Sequence, residues 1–237
     1  MLNPDGVING NYRCSLAGCD LNRRWKQPKE ELHPTIYKTK RLILHHFDKL
    51  GLYCDFHGHS KKLNSFIYGC HDRENPYASR EFPYIMEKVC SSFSFNDCKY
   101  LIPTISSGSP IINSFQMKKS KQGTARIALY RIIQSPNIFT LETSFFKSSN
   151  QEIFNAENLF KIGQDFCKAL LIYFQDDLEM EGYKDFRLET FHKNDLIKEL
   201  YIMPKKDIVK IGMEESSGSD SNPSDDNLEE VFLNTIT

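Results

Sequence analysis

The chain has 237 residues, 40% of them hydrophobic and 12% aromatic, with 30 Lys+Arg against 31 Asp+Glu. That length can bury a full core as one large domain, alone or with a tail. The near-zero charge argues against a nucleic-acid binder, whose basic excess gathers on one face. No apolar run reaches the ~18 residues a membrane helix needs, and the first residues lack the basic and apolar regions of a secretory signal. Seven cysteines (14, 19, 54, 70, 90, 98 and 167) contain no CxxC pair. They indicate neither a disulfide framework nor a zinc ribbon, and they fit a reducing compartment.

The chain opens on Asn3-Pro4-Asp5-Gly6, a turn sequence with no structural element ahead of it. Pro34 is a favoured first helical residue, and residues 35–50 place Ile36, Ile43, Phe47 and Leu50 on one helical face before Gly51 stops it. Residues 52–57 and 65–69, short and rich in aromatic and β-branched side chains, read as strands. Residues 82–93 form a second amphipathic helix pattern through Ile85, Val89 and Phe93, introduced by a turn around Asn75-Pro76. A polar, basic loop at 118–123 precedes two apolar runs, 125–133 and 137–141, which read as buried strands parted by Ser135-Pro136. Residues 156–174 carry a broad apolar helical stripe, and a weaker helix covers 194–201. From about Lys205 the composition turns to Ser, Asp, Glu, Asn and Pro, so 1–204 is the folded domain and 205–237 a disordered acidic tail. Strands alternating with helices predict an α/β layer architecture with helices packed on a central sheet.

Three stretches hold polar groups where chemistry can concentrate. Residues 11–25 supply Arg13, Asn22, Arg23 and Arg24 in a non-periodic segment. A guanidinium fork beside an Asn amide suits a carboxylate or phosphate, although loop arginines are more often solvated or surface-paired. Asp55-Phe56-His57-Gly58-His59-Ser60 ends a strand with two imidazoles and a carboxylate, where α/β sheets present functional groups. Its residues read equally as a metal or catalytic histidine with Asp55 behind it, or as satisfied structural histidines. In the third stretch, residues 137–145, an apolar strand delivers the lone carboxylate of Glu142. Burial would raise its pKa toward the range of a general base, while exposure at the strand end would make it ordinary.

Together and in order, Asn3-Pro4-Asp5-Gly6-Val7, Gly10-Asn11-Tyr12-Arg13-Cys14-Ser15-Leu16, Asp20-Leu21-Asn22-Arg23, Asp55-Phe56-His57-Gly58-His59-Ser60, Phe66-Ile67-Tyr68-Gly69-Cys70, Gly123-Thr124-Ala125-Arg126 and Thr140-Leu141-Glu142 closely resemble the cytosolic carboxypeptidases. These are M14 zinc metallocarboxypeptidases that trim glutamate from protein C-termini and side chains, notably on tubulin. The resemblance covers the chain from its first residues to about Phe174. It implies a zinc-carboxypeptidase-like fold, a mixed central β-sheet flanked by helices. It also implies a hydrolase of the cytoplasm, associated with microtubules or cilia, with no nucleic-acid or membrane partner.

By position, the resemblance makes His57 a Zn²⁺ ligand, with His59 its neighbour, and Glu142 the general base. It makes Asn22 and Arg23 the clamp on the substrate's terminal carboxylate, and Arg13 the group that stabilises the oxyanion. Arg126, on the strand before the base, is a candidate reader of an acidic substrate side chain or a structural salt-bridge partner. The family's His-x-x-Glu zinc pair lies upstream of Asn-Pro-Asp-Gly, so two of the three expected ligands are missing from this chain, which reads as N-terminally truncated and inactive as it stands. His71-Asp72-Arg73-Glu74 has the spacing but the wrong place. A rival reading is a non-catalytic module that binds acidic C-terminal tails through the same Arg/Asn clamp.

Overall fold

The computed structural model describes residues 1–72, 74–101, 119–180 and 192–211. The expected tail beyond residue 211 lies outside them. Among the described residues the α-helices are α1 (Pro4–Ile8), α2 (Pro34–His45), α3 (Ala78–Val89), α4 (Ala125–Ile133), α5 (Ala156–Tyr173), α6 (Gln175–Met180), α7 (Lys193–Ile202) and α8 (Lys205–Lys210). The strands are β1 (Tyr53–His59), β2 (Ser65–Cys70), β3 (Lys99–Leu101) and β4 (Ile138–Ser144). The described residues divide into two compact units, one holding residues 52–101 and 135–211 and the other residues 1–51 and 119–134.

The first of these is an α/β unit with a mixed sheet of strand order β1-β4-β2-β3, the mixed α/β class expected. Strand β4 runs parallel to β1 and antiparallel to β2, and β2 runs parallel to β3. Because side chains alternate across a strand, Phe56, Ile67, Phe139 and Leu141 share one face; α3 and α5 pack on it and bury all but Phe56, which stays exposed on the edge strand. Phe82 of α3 stacks on Phe139 at 5.8 Å and meets Phe166 of α5 edge-on at 5.3 Å, and Phe56 meets Phe166 at 5.0 Å. The other face carries Asp55, His57, Thr140 and Glu142. Apolar burial on one side thus holds a polar row in place on the other.

The second unit is irregular. A one-turn 3-10 segment, Leu21–Arg23, leads to Trp25, which is buried and whose N–H donates to Gly123 O. Lys40 of α2 donates to the carbonyls of Trp25 and Lys26 at 2.8 and 3.0 Å, tying that helix to the loop before it. Only Ile36 of the expected apolar face of α2 is buried, and Phe47 is exposed in a 3-10 turn beyond the helix.

Four expectations change. Residues 125–133 form helix α4 and not a strand, so Arg126 sits in a first helical turn. A nine-residue apolar run fits either element by pattern alone. Here two alanines favour the helix, and Gln134, at φ 56°, ends it in the left-handed region. The opening Asn3-Pro4-Asp5-Gly6 is not a bare turn but the start of α1, with Pro4 in its first turn. Helix α3 begins at Ala78, four residues earlier than the pattern suggested, and carries Pro83 inside it.

The ordered chain also runs past residue 204, because α8 is anchored. Ile208 is fully buried, and Ile211 O accepts from Nη2 of Arg80 at 3.2 Å. Arg80 is itself buried, donates to Pro76 O at 2.8 Å and lies 4.1 Å from the Tyr100 ring, and burial lowers its pKa.

Phe82 touches three aromatic rings of this core. Truncation to alanine should cost about 3–5 kcal/mol, measured by urea or thermal denaturation. Phe160→Ala, on the exposed side of α5, should move stability by less than about 0.5 kcal/mol.

Candidate active site

In the α/β unit the parallel pairing of β1 and β4 sets His57 directly opposite Glu142, and Asp55 opposite Thr140. Asp55 and His57, two residues apart, point to the same side, and Asp55 Oδ2 meets His57 Nε2 at 2.9 Å. A carboxylate on one ring nitrogen fixes the direction of the imidazole and leaves Nδ1 on its opposite side. Glu142 and both partners of the Asp55–His57 pair are half-buried, screened from solvent without being sealed from it. Glu142 is also the register partner of Phe66 on β2, so its strand is fixed from both sides.

His59 has a different task. Its Nδ1 accepts from the N–H groups of Lys61 and Lys62 at 3.1 and 3.0 Å, and its ring packs edge-on against Phe66. It shapes the turn after β1. Gly58 between the two histidines admits Phe145, whose ring atoms would lie 2.2 Å from any Cβ added there.

The other unit gathers Arg13, Asn22 and Arg23 around one carboxylate. Asp20 Oδ2 accepts from Arg13 Nη1 at 2.8 Å and lies 4.0 Å from Arg23 Nη1, while its Oδ1 accepts from Asn22 N at 2.9 Å. Burial opposes the charge on Arg13, but the hydrogen bond and charge of Asp20 outweigh it and raise the guanidinium pKa. Asp20 is buried while Arg13 is half-exposed, so the acid anchors the group and the arginine presents it. The sequence motif contained Asp20 without revealing this role. Its signal was an acidic N-cap two residues before Asn22, the spacing at which a side chain accepts from the second backbone N–H.

The motif glycines and Asn3 explain how the loop reaches this geometry. Gly18, at φ 71°, turns the chain back so that Cys14 pairs with Asp20, which brings Arg13 beside that carboxylate. Asn3 Nδ2 donates to the carbonyls of Asn11 and Cys14, and a Cβ on Gly6 would sit 2.3 Å from both Asn3 and Cys14 O. Asn22 Oδ1 accepts from Ala125 N at 2.9 Å, which caps α4, and Arg126, buried in the first turn, is the residue after the capped one. Gly123 lies against the backbone of Arg23, where a Cβ would fall 2.0 Å from the carbonyl oxygen.

The structure therefore brings His57 together with Glu142, and Arg13 together with Asn22 and Arg23, each group within its own unit. His71 lies apart from both. Its Nδ1 lies 3.3 Å from Arg80 Nη1, and Glu74 falls in the turn before α3.

No protein-family model matches the chain. Similarity to individual proteins is extensive. The chain is 36% identical over 228 residues to cytosolic carboxypeptidase 1 of Danio rerio, an alignment covering 85% of this chain and 18% of that protein. It is 40% identical over 188 residues to cytosolic carboxypeptidase 3 of Bos taurus, covering 75% and 17%. It is 33% identical over 247 residues to cytosolic carboxypeptidase 4 of Mus musculus, covering 94% and 20%. The chain belongs to the cytosolic carboxypeptidase family. It spans about a fifth of the length of the curated relatives it matches.

Solved structures agree on the fold. A metallo-carboxypeptidase from Burkholderia cenocepacia superposes with a TM-score of 0.58 at 20% identity, over 74% of this chain and 43% of that one. One from Pseudomonas aeruginosa, in complex with (2-guanidinoethylmercapto)succinic acid, gives 0.54 at 23%, over 75% and 45%.

The family resemblance drawn from the sequence makes zinc the metal to test the residues against. Among the described residues, no group of three or more His, Cys, Asp and Glu side chains is arranged to hold a metal ion. His57 with Asp55 supplies one oriented imidazole, and one imidazole is not a zinc site. The described residues on their own do not fit the metal.

Gly123→Ala forces the Arg23 backbone to move. The overpacking should cost about 1–3 kcal/mol, read by denaturant unfolding, while Gly163→Ala, whose added Cβ meets open space on α5, should stabilise slightly.

Proposed function

We propose that this chain carries the base-bearing and carboxylate-clamping parts of a carboxypeptidase that removes C-terminal or side-chain glutamate from polypeptides, with tubulin as a substrate of that class. One observation carries the reading: in a chain 33–40% identical to cytosolic carboxypeptidases, the β1–β4 register sets an Asp-oriented His57 opposite Glu142. That pairing supports His57 as a metal ligand and Glu142 as the base that takes the proton from the attacking water and returns it to the leaving amine.

The second unit supplies the recognition chemistry. Arg23, with Asn22 beside it, holds the terminal carboxylate through charge-assisted hydrogen bonds. Arg13, poised on Asp20, stabilises the negative charge that develops on the carbonyl oxygen. Arg126 reads an acidic side chain of the substrate. The relatives' names support a cytoplasmic protein, and a tubulin tail as substrate would bring it to microtubules or cilia.

Two measurements test the roles. The chain should bind a peptide ending in glutamate about ten- to a hundredfold tighter than the same peptide with an amidated C-terminus, and Arg23→Ala should abolish that difference. Equal binding of both peptides by the wild type would remove the clamp. In any length of this polypeptide that hydrolyses such peptides, Glu142→Gln should lower turnover by about 10²–10⁴ while leaving peptide affinity intact. Full turnover by that variant defeats the assignment of the base.

A further inference from the structure

The near-neutral total conceals a separation of charge. Residues 1–51 and 119–134, the described part of one unit, contain thirteen Lys+Arg and five Asp+Glu. Residues 212–237 contain seven Asp+Glu and no Lys or Arg.

The basic residues are also gathered in space. Lys40 reaches the carbonyls of Trp25 and Lys26, and the N–H of Trp25 bonds to Gly123, two residues from Lys121. Gly123 in turn lies on Arg23, which shares Asp20 with Arg13. Arg13, Arg23, Arg24, Lys26, Lys40 and Lys121 are therefore joined through one loop. Of the five acids, Asp20 is buried beneath Arg13 and Arg23, and Glu30 pairs with Lys38.

We propose that the acidic segment 212–237 of this same chain docks on that basic surface and competes there with acidic polypeptide. The docking rests on charge complementarity. The competition rests, in addition, on the carboxylate-clamp reading given above. Twenty-six residues follow Ile211 in the same chain, and covalent tethering presents them to its basic residues at about millimolar effective concentration. A low-affinity electrostatic contact is then occupied without any partner, and a substrate must displace it. Such a device is most effective at low ionic strength, because surface attraction is screened beyond about 8 Å at physiological salt.

The test compares the full 237-residue chain with a variant in which the seven carboxylates are neutralised (Glu214→Gln, Glu215→Gln, Asp220→Asn, Asp225→Asn, Asp226→Asn, Glu229→Gln, Glu230→Gln). The probe is a fluorescent hexaglutamate with a free C-terminus, followed by anisotropy. At about 50 mM salt the variant should bind about tenfold tighter than the wild type, and the gap should close near 0.5 M. Equal affinity at low salt overturns the competition.

A carbodiimide, which joins touching carboxylates and amines directly, tests the docking without any ligand. Cross-links from 212–237 to Lys26, Lys40 or Lys121 within one chain are expected. Their absence, or their occurrence only between differently labelled copies, overturns the docking. If cross-links form but hexaglutamate binds neither protein, the docking stands and the acidic-substrate reading falls. If hexaglutamate binds both equally and no cross-links form, the reverse holds.

Discussion

The register between β1 and β4 is the constraint on which the placement of Asp55, His57 and Glu142 depends. Strand period is two, so a slip of one residue would move Asp55 and His57 into the apolar face and turn Phe56 outward on the polar one. The aromatic cluster of Phe56, Phe82, Phe139 and Phe166 prevents that slip, because its rings interlock only when Phe139 and Phe56 point toward α3 and α5. β4 is held in addition by β2 on its other side, where Phe66 faces Glu142. The polar row is therefore specified by packing on the far face of the sheet. The Asp55–His57 contact only refines the direction of a ring already placed.

The clamp is built on another principle. Its unit has little regular structure, so position comes from backbone carbonyls and N–H groups that loop side chains satisfy. Asn3 holds residues 11–14, Asp20 caps the turn that bears Asn22, and Asn22 caps α4. Glycine appears where two backbones must approach: Gly6 against Cys14, and Gly123 against Arg23. The residues that would touch substrate are few, and those that set their backbone are many. That ratio explains why the motif text is so much longer than the set of reactive groups.

The legible part of the fold was the part governed by periodicity. Helices α2, α5 and α7 and strands β1, β2 and β4 follow from apolar spacing, although α2 buries only Ile36 and β1 buries no residue fully. Failure came where two elements satisfy the same pattern. Residues 125–133 are apolar nearly throughout, and a helix buried over most of its surface has no polar stripe to reveal its period. Family likeness singled out the candidate site residues, whereas Asp20 was not legible as the group that gathers Arg13, Asn22 and Arg23. A buried acid is recognised by its partners, and Arg13 meets it only because Gly18 reverses the chain between them. Likewise the boundary at 204 followed composition, while Ile208 and the carbonyl of Ile211 are held by α3-borne Arg80 and the core, which composition does not register.

Net charge was the weakest guide for a related reason. A sum over 237 residues is a property of the molecule seen from far away, yet at physiological salt a charged partner senses groups within about 8 Å. A basic loop system and an acidic terminal segment cancel in the sum while each presents its own sign locally. The near-zero total therefore excludes a uniformly basic protein and leaves a basic surface fully compatible with it. For a chain whose relatives are named for cleaving polypeptide ends, the sign at the carboxylate clamp bears on function, and it is set by Arg13 and Arg23 over the buried Asp20. One carboxylate against two guanidiniums leaves a net positive charge where Arg13 and Arg23 meet Asp20.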